Sequence, residues 1–273
     1  MLPREAEKRP ARYEPAPYSR RRPQNLMPTY TATGITLSVH KYGDTGRVAS
    51  FFTRERGKVE AAASGVGKPG SKLAAAVEPF TVSRLMFAEG KNMDRLSQAE
   101  VVEAFYGLRQ DLERLAYGSY LLELTEVTTE PHEPLPEVFD DLIAGLQAIT
   151  SGGDSDLIAL AYTLRVLRAH GTAPEVAVCL ECGKAIAGEA AFVAIQGGFI
   201  CRRCSPGSGG HVTVSGMALG ALRGLLTLPP ERLGRLALTP EVRRQVSQVV
   251  RSHVDYHVGE QLKTLKFLDK VRR

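Results

Sequence analysis

The sequence predicts an α+β protein with a small five-stranded β-barrel at its N-terminus, then an α-helical bundle that contains an inserted four-cysteine segment. Three observations predict this. Apolar and polar residues alternate between residues 29 and 98, apolar residues recur at helical spacing after residue 97, and all four cysteines of the 273-residue chain fall within residues 179–204. We expect a tail at 1–27, a barrel domain at 28–98 and a helical domain at 99–273 that contains a metal-binding ribbon at 177–207.

The first 27 residues carry 7 basic and 3 acidic side chains, are rich in proline and show no periodicity. Such composition cannot bury enough apolar surface to fold, so we expect a disordered basic tail. Ordered patterning begins just after Met27, which is therefore a possible alternative start. The tail has no apolar core, so we do not expect a secretory signal.

Strand-like alternation begins with Ile35, Leu37 and Val39, which alternate with polar residues. A glycine-rich loop at 65–71 interrupts the pattern. Five short strands in about 70 residues, separated by turns at regular spacing, are typical of a small closed barrel. After a first strand around Ile35 to Val39, the predicted strands lie at about 47–54, 58–63, 80–88 and 93–96.

The predicted strand ends and turns are basic, and aromatic residues (Tyr30, Tyr42, Phe51 and Phe52) lie between the cations. Cations that neutralise phosphates, together with rings on which bases stack, are what a sequence-tolerant nucleic-acid binder uses. The alternative is that Phe51 and Phe52 belong to the core. The predicted DNA-contacting residues are Lys41, Arg47, Arg54, Arg56, Lys58, Lys68 and Lys72.

The spacing of apolar residues changes at Ser97 from that of a strand to that of a helix. Ser97 and Glu100 form a capping-box pattern, and apolar residues follow at helical spacing. A first helix is therefore predicted from Ser97. Pro229-Pro230 predicts a stop, and Thr239 before Pro240 predicts the start of a final helix. Further helices are predicted at about 119–127, 137–150, 154–170 and 215–226.

The cysteines form two pairs, Cys179/Cys182 and Cys201/Cys204, with 18 residues between the pairs. Two residues between cysteines allow one tight turn to direct both sulfurs to a common centre, and two such turns complete the tetrahedral thiolate shell that Zn²⁺ prefers in structural sites. A hairpin at 190–200, turning at Gly197-Gly198, would bring the second pair to the first. The alternative is two disulfides or idle thiols. We expect one structural zinc ion.

Charge is unevenly distributed: residues 99–178 carry 4 basic and 14 acidic side chains, whereas residues 211–273 carry 11 basic and 5 acidic ones. This asymmetry suggests that the basic ends of the chain, and not its middle, meet a polyanion; the alternative is a plain solvated surface. No apolar run approaches the 18 residues of a membrane span. The metal-type use of cysteine indicates a cytoplasmic protein.

Two motifs suggest other chemistry. Gly65-Val-Gly67-Lys-Pro-Gly70 matches a dinucleotide fingerprint, but Pro79 leaves room for only about two helical turns where a crossover helix is required. His253 and His257 have metal-binding spacing, but both fall on an apolar helix face and are expected to be interior. No nucleophile and base pair is evident, so we do not expect an enzyme; a dinucleotide-dependent enzyme is the alternative from that class.

Several segments, in this order, resemble the bacterial recombination mediator family RecO. Residues 51–58 resemble its strand-turn-strand, and residues 77–80 resemble a segment that ends in Pro-Phe. The two cysteine pairs resemble its zinc knuckles, and residues 262–268 resemble its C-terminal signature. The resemblance covers about 29–268 and does not extend to the tail.

This resemblance implies that the barrel is an OB-fold and that the protein binds and anneals DNA, single- and double-stranded, in gap repair and recombination. It also implies partners, namely RecR and single-strand-binding protein, and a role in loading RecA without nucleotide hydrolysis at the nucleoid. A zinc-ribbon transcription or translation factor is the alternative from the binding class.

A second binding surface is expected where the acidic, apolar-ended tail of single-strand-binding protein would dock. Such a peptide needs an apolar pocket with a cationic rim, and the basic segment 211–273 offers both. The predicted rim is Arg243, Arg251 and Lys263, and the predicted apolar contacts are Val246, Val250 and Leu262.

Overall fold

The computed structural model describes residues 27–44, 46–205, 212–259 and 262–271. The predicted basic tail, apart from Met27, lies outside these residues. Within them the chain forms a barrel, then helices, then a second sheet, and then helices again. The predicted α+β architecture is confirmed.

The five N-terminal strands close into a barrel, as predicted, and their order around it is β1-β2-β3-β5-β4. Neighbouring strands are antiparallel, except that β3 and β5 close the barrel in parallel through Ala61–Asp94 and Ala62–Arg95. Closure pairs both outer edges of the sheet. The strands are β1 (Thr29–Tyr42), β2 (Gly46–Thr53), β3 (Gly57–Ala63), β4 (Thr81–Ala88) and β5 (Asp94–Ala104).

Phe51 and Phe52 are both buried, but on opposite sides of the barrel wall. Phe51 fills the interior and meets Phe87 edge-on, with ring centroids 5.6 Å apart. Phe52 points outward into the helical core, where its centroid lies 6.0 Å from that of Phe139. Alternation along β2 thus builds the barrel core and the barrel–bundle contact with consecutive residues.

The helix predicted from Ser97 is wrong, because residues 94–104 are the strand β5. Its backbone pairs with β4 from Ala88–Arg95 to Thr81–Ala104, and the Ser97 hydroxyl donates to the Met86 carbonyl at 2.8 Å. The predicted domain boundary at 98/99 therefore falls inside the barrel's last strand. Pairing with a long neighbouring strand overrides the local capping pattern.

The helical bundle begins at Leu112, after a short 3-10 helix at 106–110. Polar N-caps start four of its helices, where the side chains of Asp111, Asp154, Ser215 and Thr239 accept backbone N–H groups. The predicted start at Thr239-Pro240 is confirmed. The helices are α1 (Leu112–Thr128), α2 (Pro136–Thr150), α3 (Ser155–Ala169), α4 (Gly216–Thr227), α5 (Pro240–His257) and α6 (Lys263–Val271).

A four-stranded sheet of order β6-β8-β7-β9 lies between α3 and α4 in the chain. The predicted hairpin is confirmed, since β7 and β8 pair from Ala190–Cys201 to Val193–Gly198. Arg223 of α4 ties this sheet to the bundle by donating to the carbonyls of Val176 (2.8 and 3.0 Å) and Ile186 (3.1 Å). The strands are β6 (Glu175–Cys179), β7 (Ala190–Val193), β8 (Gly198–Cys201) and β9 (Val212–Val214).

The two predicted interior histidines differ. His253 is fully buried, and its Nε2 lies 2.6 Å from the carbonyl of Thr172. His257 is exposed, so the prediction is wrong for this residue. The glycine-rich segment 64–74 is a loop followed by a three-residue 3-10 helix at 75–77, so the crossover helix of a dinucleotide-binding unit is absent from this described segment.

Candidate metal centre and nucleic-acid-binding surface

The four cysteines meet at one point. Their sulfur atoms all lie within 4.8 Å of one another, and Cys182 Sγ is 4.0 Å from Cys201 Sγ. A tetrahedral Zn²⁺ with bonds of about 2.3 Å places its sulfurs about 3.8 Å apart, so these cysteines fit such an ion. None of them forms a disulfide. The four residues predicted from their spacing are thus brought together.

Backbone N–H groups favour the ionised form of Cys179 and Cys201, but the thiol of Cys204 is shifted the other way. Burial acts to raise the pKa of Cys179, but backbone N–H groups, including that of Cys201 at 3.3 Å, bring it down to about 6. The backbone N–H of Cys204 is the main cause that lowers the pKa of Cys201. Hydrogen bonds with the thiols of Cys201 and Cys182, together with desolvation, raise the pKa of Cys204 to about 12. Four adjacent thiolates repel one another, so full ionisation requires a cation among them.

The predicted DNA-contacting residues fall into three groups. Lys41 and Arg47 face each other across the β1–β2 hairpin. Lys68 and Lys72 are exposed on the glycine-rich loop. In the described residues, none of these four side chains forms an ion pair, so their charges are available to an external anion.

The third group lies at the β2–β3 turn and already has partners inside the protein. Arg54 forms a two-pronged ion pair with Asp140 of α2. Arg56 lies over the ring of Tyr30, 4.6 Å from its centroid. Lys58 is half-buried, and its Nζ donates to the Glu126 carbonyl at 2.8 Å. Arg54 and Lys58 thus contact α2 and α1, whereas Arg56 contacts the barrel itself.

The predicted peptide-binding residues do not form one pocket. A cavity of about 870 Å³ lies between α1, α3, α5 and α6, and both Val250 and Arg251 line it. Arg243 instead pairs with Asp154 and Asp156, at 2.6 and 3.0 Å. The remaining predicted residues are Val246 and Leu262, which are buried outside the lining, and Lys263, at the start of α6.

Sequence reasoning missed residues that shape this cavity. Leu265 and Leu268 of α6 form part of the lining, and Arg244 of α5 adds a second cation. Glu123 of α1 positions α6 by accepting the backbone N–H groups of Lys263 at 2.9 Å and Thr264 at 2.8 Å. Leu265 and Leu268 recur at helical spacing near the chain end, but a pattern on one helix does not show which other helix it faces.

Family models match almost the whole described chain. The model "Recombination protein O N terminal" matches residues 27–105, and "Recombination protein O C terminal" matches residues 109–266. This chain belongs to the RecO family. The join between the two models falls just after the end of β5 at Ala104, which agrees with the barrel boundary in the structure and not with the predicted one.

Individual members of the RecO family are similar over most of their length. The DNA repair protein RecO of Pelotomaculum thermopropionicum is 35% identical over 244 residues, which is 89% of this chain and 95% of that protein. The protein of the same name from Bacillus subtilis is 30% identical over 238 residues, or 87% and 93% of the two chains. The one from Anaeromyxobacter is 33% identical over 245 residues, or 88% and 95%.

As for membranes, we find no helix among the described residues of this RecO family member with both the length and the apolar character needed to span a bilayer.

Proposed function

We propose that this chain is a DNA-binding recombination mediator that acts in gap repair and homologous recombination and catalyses no reaction itself. The observation that carries the proposal is a closed barrel whose hairpin and loop present Lys41, Arg47, Lys68 and Lys72 without ionic partners among the described side chains. Family membership supports the biological setting, because the relatives are named DNA repair proteins.

The barrel cations would act by neutralising phosphates and releasing the counterions condensed on DNA. Such contacts carry no sequence information, so single and double strands of any sequence are substrates. A protein that lowers the repulsion between two strands promotes their annealing. The four cysteines would hold one Zn²⁺, which stabilises the ribbon and takes no part in DNA chemistry.

The proposed partners are RecR and single-strand-binding protein, with which the chain would help to load RecA on covered single strands at the nucleoid, in the cytoplasm. The acidic tail of single-strand-binding protein would enter the cavity beside Val250 and Arg251, where apolar walls and cations occur together. The proposed tail site is on the helical body, away from the barrel cations.

Complementary-strand annealing, measured with and without single-strand-binding protein, tests the proposal. We expect the protein to accelerate annealing of any complementary pair without nucleotide, and a Lys41→Gln/Arg47→Gln variant to do so less well. The rival function, a zinc-ribbon transcription or translation factor, predicts sequence-specific binding and no effect on annealing. That result would overturn the proposal.

A further inference from the structure

Tyr42, on the β1–β2 hairpin, differs from the other tyrosine and phenylalanine residues of the described barrel because its ring is exposed. Every phenylalanine in described residues 27–104 is buried. Tyr30 is half-buried, stacked on Phe87 with centroids 5.1 Å apart, covered by Arg56, and bonded through its hydroxyl to Asp94. Tyr42 is 61% exposed. Among the phenylalanine and tyrosine side chains of described residues 27–104, Tyr42 is therefore the one with a ring free to stack on a base.

The residue opposite Tyr42 keeps the ring accessible. Tyr42 pairs across the hairpin with Gly46, so no side chain competes for the ring from the facing strand. A Cβ atom at Gly46 would lie 3.7 Å from Tyr42 Cδ1 and only 2.5 Å from the Tyr42 carbonyl oxygen. The ring thus lies beside a bare backbone, in a position that a larger residue at 46 would disturb.

Cations occupy the other face of the same hairpin. Directly opposite residues share a face and neighbouring residues alternate, so Lys41 and Arg47 lie on the face opposite Tyr42. Arg47 donates to the Gly46 carbonyl at 3.0 Å, which holds the guanidinium at the tip. A strand crossing the tip can place one base on the ring and its flanking phosphates near the cations. A paired base, held in its duplex, cannot reach such a ring face.

We propose that Tyr42 is the base-stacking residue of the barrel, and that it makes the β1–β2 hairpin a site for unpaired nucleotides. The inference rests on the proposed DNA-binding function and deepens it, because phosphate contacts alone do not distinguish single strands from duplexes. His40, exposed two residues earlier on the same face, is placed to meet the next base at a spacing of about 6.6 Å. Stacking tolerates every base, which suits a protein that acts on any sequence.

The chain contains no tryptophan, so a single substitution creates a specific fluorescent reporter. We would compare Tyr42→Trp with Tyr106→Trp, since Tyr106 is 65% exposed but lies on the 3-10 helix outside the barrel. The probes are an oligothymidylate and an abasic oligonucleotide of equal length. We expect oligothymidylate to quench Tyr42→Trp fluorescence much more than Tyr106→Trp fluorescence, and the abasic strand to quench neither strongly. Equal quenching of Tyr42→Trp by both probes would overturn the inference.

Affinity measurements separate stacking from charge. Tyr42→Ala should bind oligothymidylate on the order of 10-fold more weakly, with an unchanged salt slope and unchanged affinity for the abasic strand, while Tyr42→Phe retains binding. Lys41→Gln/Arg47→Gln should reduce the salt slope on both probes. If the charge variant weakens binding and Tyr42→Ala does not, the stacking inference fails alone. If the charge variant changes neither the affinity nor the salt slope, the proposed DNA-binding surface is wrong too.

Discussion

Arg54 at the β2–β3 turn and Asp140 on α2 form a two-pronged ion pair, with Nε–Oδ1 at 2.9 Å and Nη2–Oδ2 at 3.0 Å. The hydrogen bond to Asp140 raises the pKa of Arg54 above its ordinary value. Both side chains are about half exposed, at 50% and 57%, so the pair contributes little stability. Its main consequence is that Arg54, predicted from sequence to meet DNA, already has a carboxylate partner.

The first prediction concerns this pair. Neutralising a free barrel cation, as in Lys41→Gln, should reduce the slope of log affinity against log salt by about 0.7 to 0.9, depending on the strandedness of the DNA. Arg54→Gln should reduce it by less, because Asp140 already neutralises that charge. Asp140→Asn should instead raise DNA affinity by freeing Arg54. Fluorescence anisotropy across a salt series measures all three, and equal slopes for Lys41→Gln and Arg54→Gln would contradict the argument.

The second prediction concerns the close contact between Gly57, beside that turn, and the loop between α1 and α2. Gly57 has φ +67°, and a Cβ there would lie 2.0 Å from the Glu133 carbonyl oxygen of the α1–α2 loop. Gly57→Ala should therefore lower the free energy of unfolding by more than about 2 kcal/mol, through backbone strain and a clash together. Gly43→Ala is the matched control: φ is +62°, but nothing lies within 4 Å, so only about 1 kcal/mol is expected. Denaturant unfolding compares the two variants. Equal losses of unfolding free energy would show that the contact between Gly57 and Glu133 does not contribute to stability.

The parts of the fold that could be predicted depend on residues that lie close together in the sequence. The metal site needs only short turns and one hairpin, so the spacing of Cys179, Cys182, Cys201 and Cys204 was sufficient. The presence of a small five-stranded barrel followed from alternation and turn spacing, whereas the order of its strands did not. The valine face of α5 was also predictable, since Val242, Val246, Val249, Val250 and Val254 are all buried.

The features that the sequence did not predict depend on contacts with distant parts of the chain. Ser97 to Glu100 carries a helix-start pattern, but hydrogen bonds to β4 decide the conformation. The DNA contact of Arg54 stays a prediction, but the sequence near Arg54 does not show that Asp140, 86 residues away, already pairs with it. His253 and His257 share one face pattern, yet only His253 reaches the Thr172 carbonyl. The residues next to a position in the sequence do not show which distant residue it will contact.

The third prediction concerns pH. Burial, with a smaller effect of His257, lowers the pKa of His253 below its ordinary value of 6.5, although the Thr172 carbonyl opposes this. The unfolded chain therefore binds a proton that the folded chain excludes. This contribution to stability is complete above about pH 6.5 and is lost as the pH falls below it. Thermal unfolding between pH 7.5 and 5.5, values chosen to span about one unit on either side, should show a falling Tm.

The control for this prediction is His253→Gln, which keeps a donor for the Thr172 carbonyl but cannot titrate. The variant should be less stable at neutral pH because packing against Phe192 changes. Its Tm should nevertheless fall less between the two pH values. A variant whose Tm falls as steeply as that of the wild type would assign the pH dependence to other groups.

The fourth prediction concerns the metal. Cys201→Ser should abolish stoichiometric zinc, lower Tm and reduce solubility, because binding of a structural ion contributes folding free energy directly. DNA affinity per folded molecule should be largely retained, since the barrel has its own core, separate from the ribbon. Metal analysis of the purified wild type, alongside calorimetry of both proteins, provides the measurement. Wild-type protein without stoichiometric metal would refute the assignment.

The last prediction concerns the helical cavity. Arg251 lines it and pairs with Asp255 at 3.2 Å and with Asp269 of α6 at 3.7 Å. An acidic peptide that ends in an aromatic residue would compete for this guanidinium, so its binding should weaken with salt. Arg251→Gln should weaken it further, and Arg251→Glu together with Lys263→Glu should weaken it most. Titration calorimetry with a tail peptide measures each affinity.

A charge-matched control separates the cavity from the general positive charge of residues 211–273. Arg232 is exposed in the 3-10 helix at 230–235 and lies outside the cavity lining, so Arg232→Glu changes net charge equally without touching the pocket. If the cavity holds the peptide, Arg251→Glu should cost much more affinity than Arg232→Glu, and barrel binding to bare DNA should survive both. Because Arg251 also contacts α6 through Asp269, circular dichroism must show that α6 remains folded. Equal losses from the two reversals would mean that the peptide responds only to long-range charge, and that its pocket lies elsewhere.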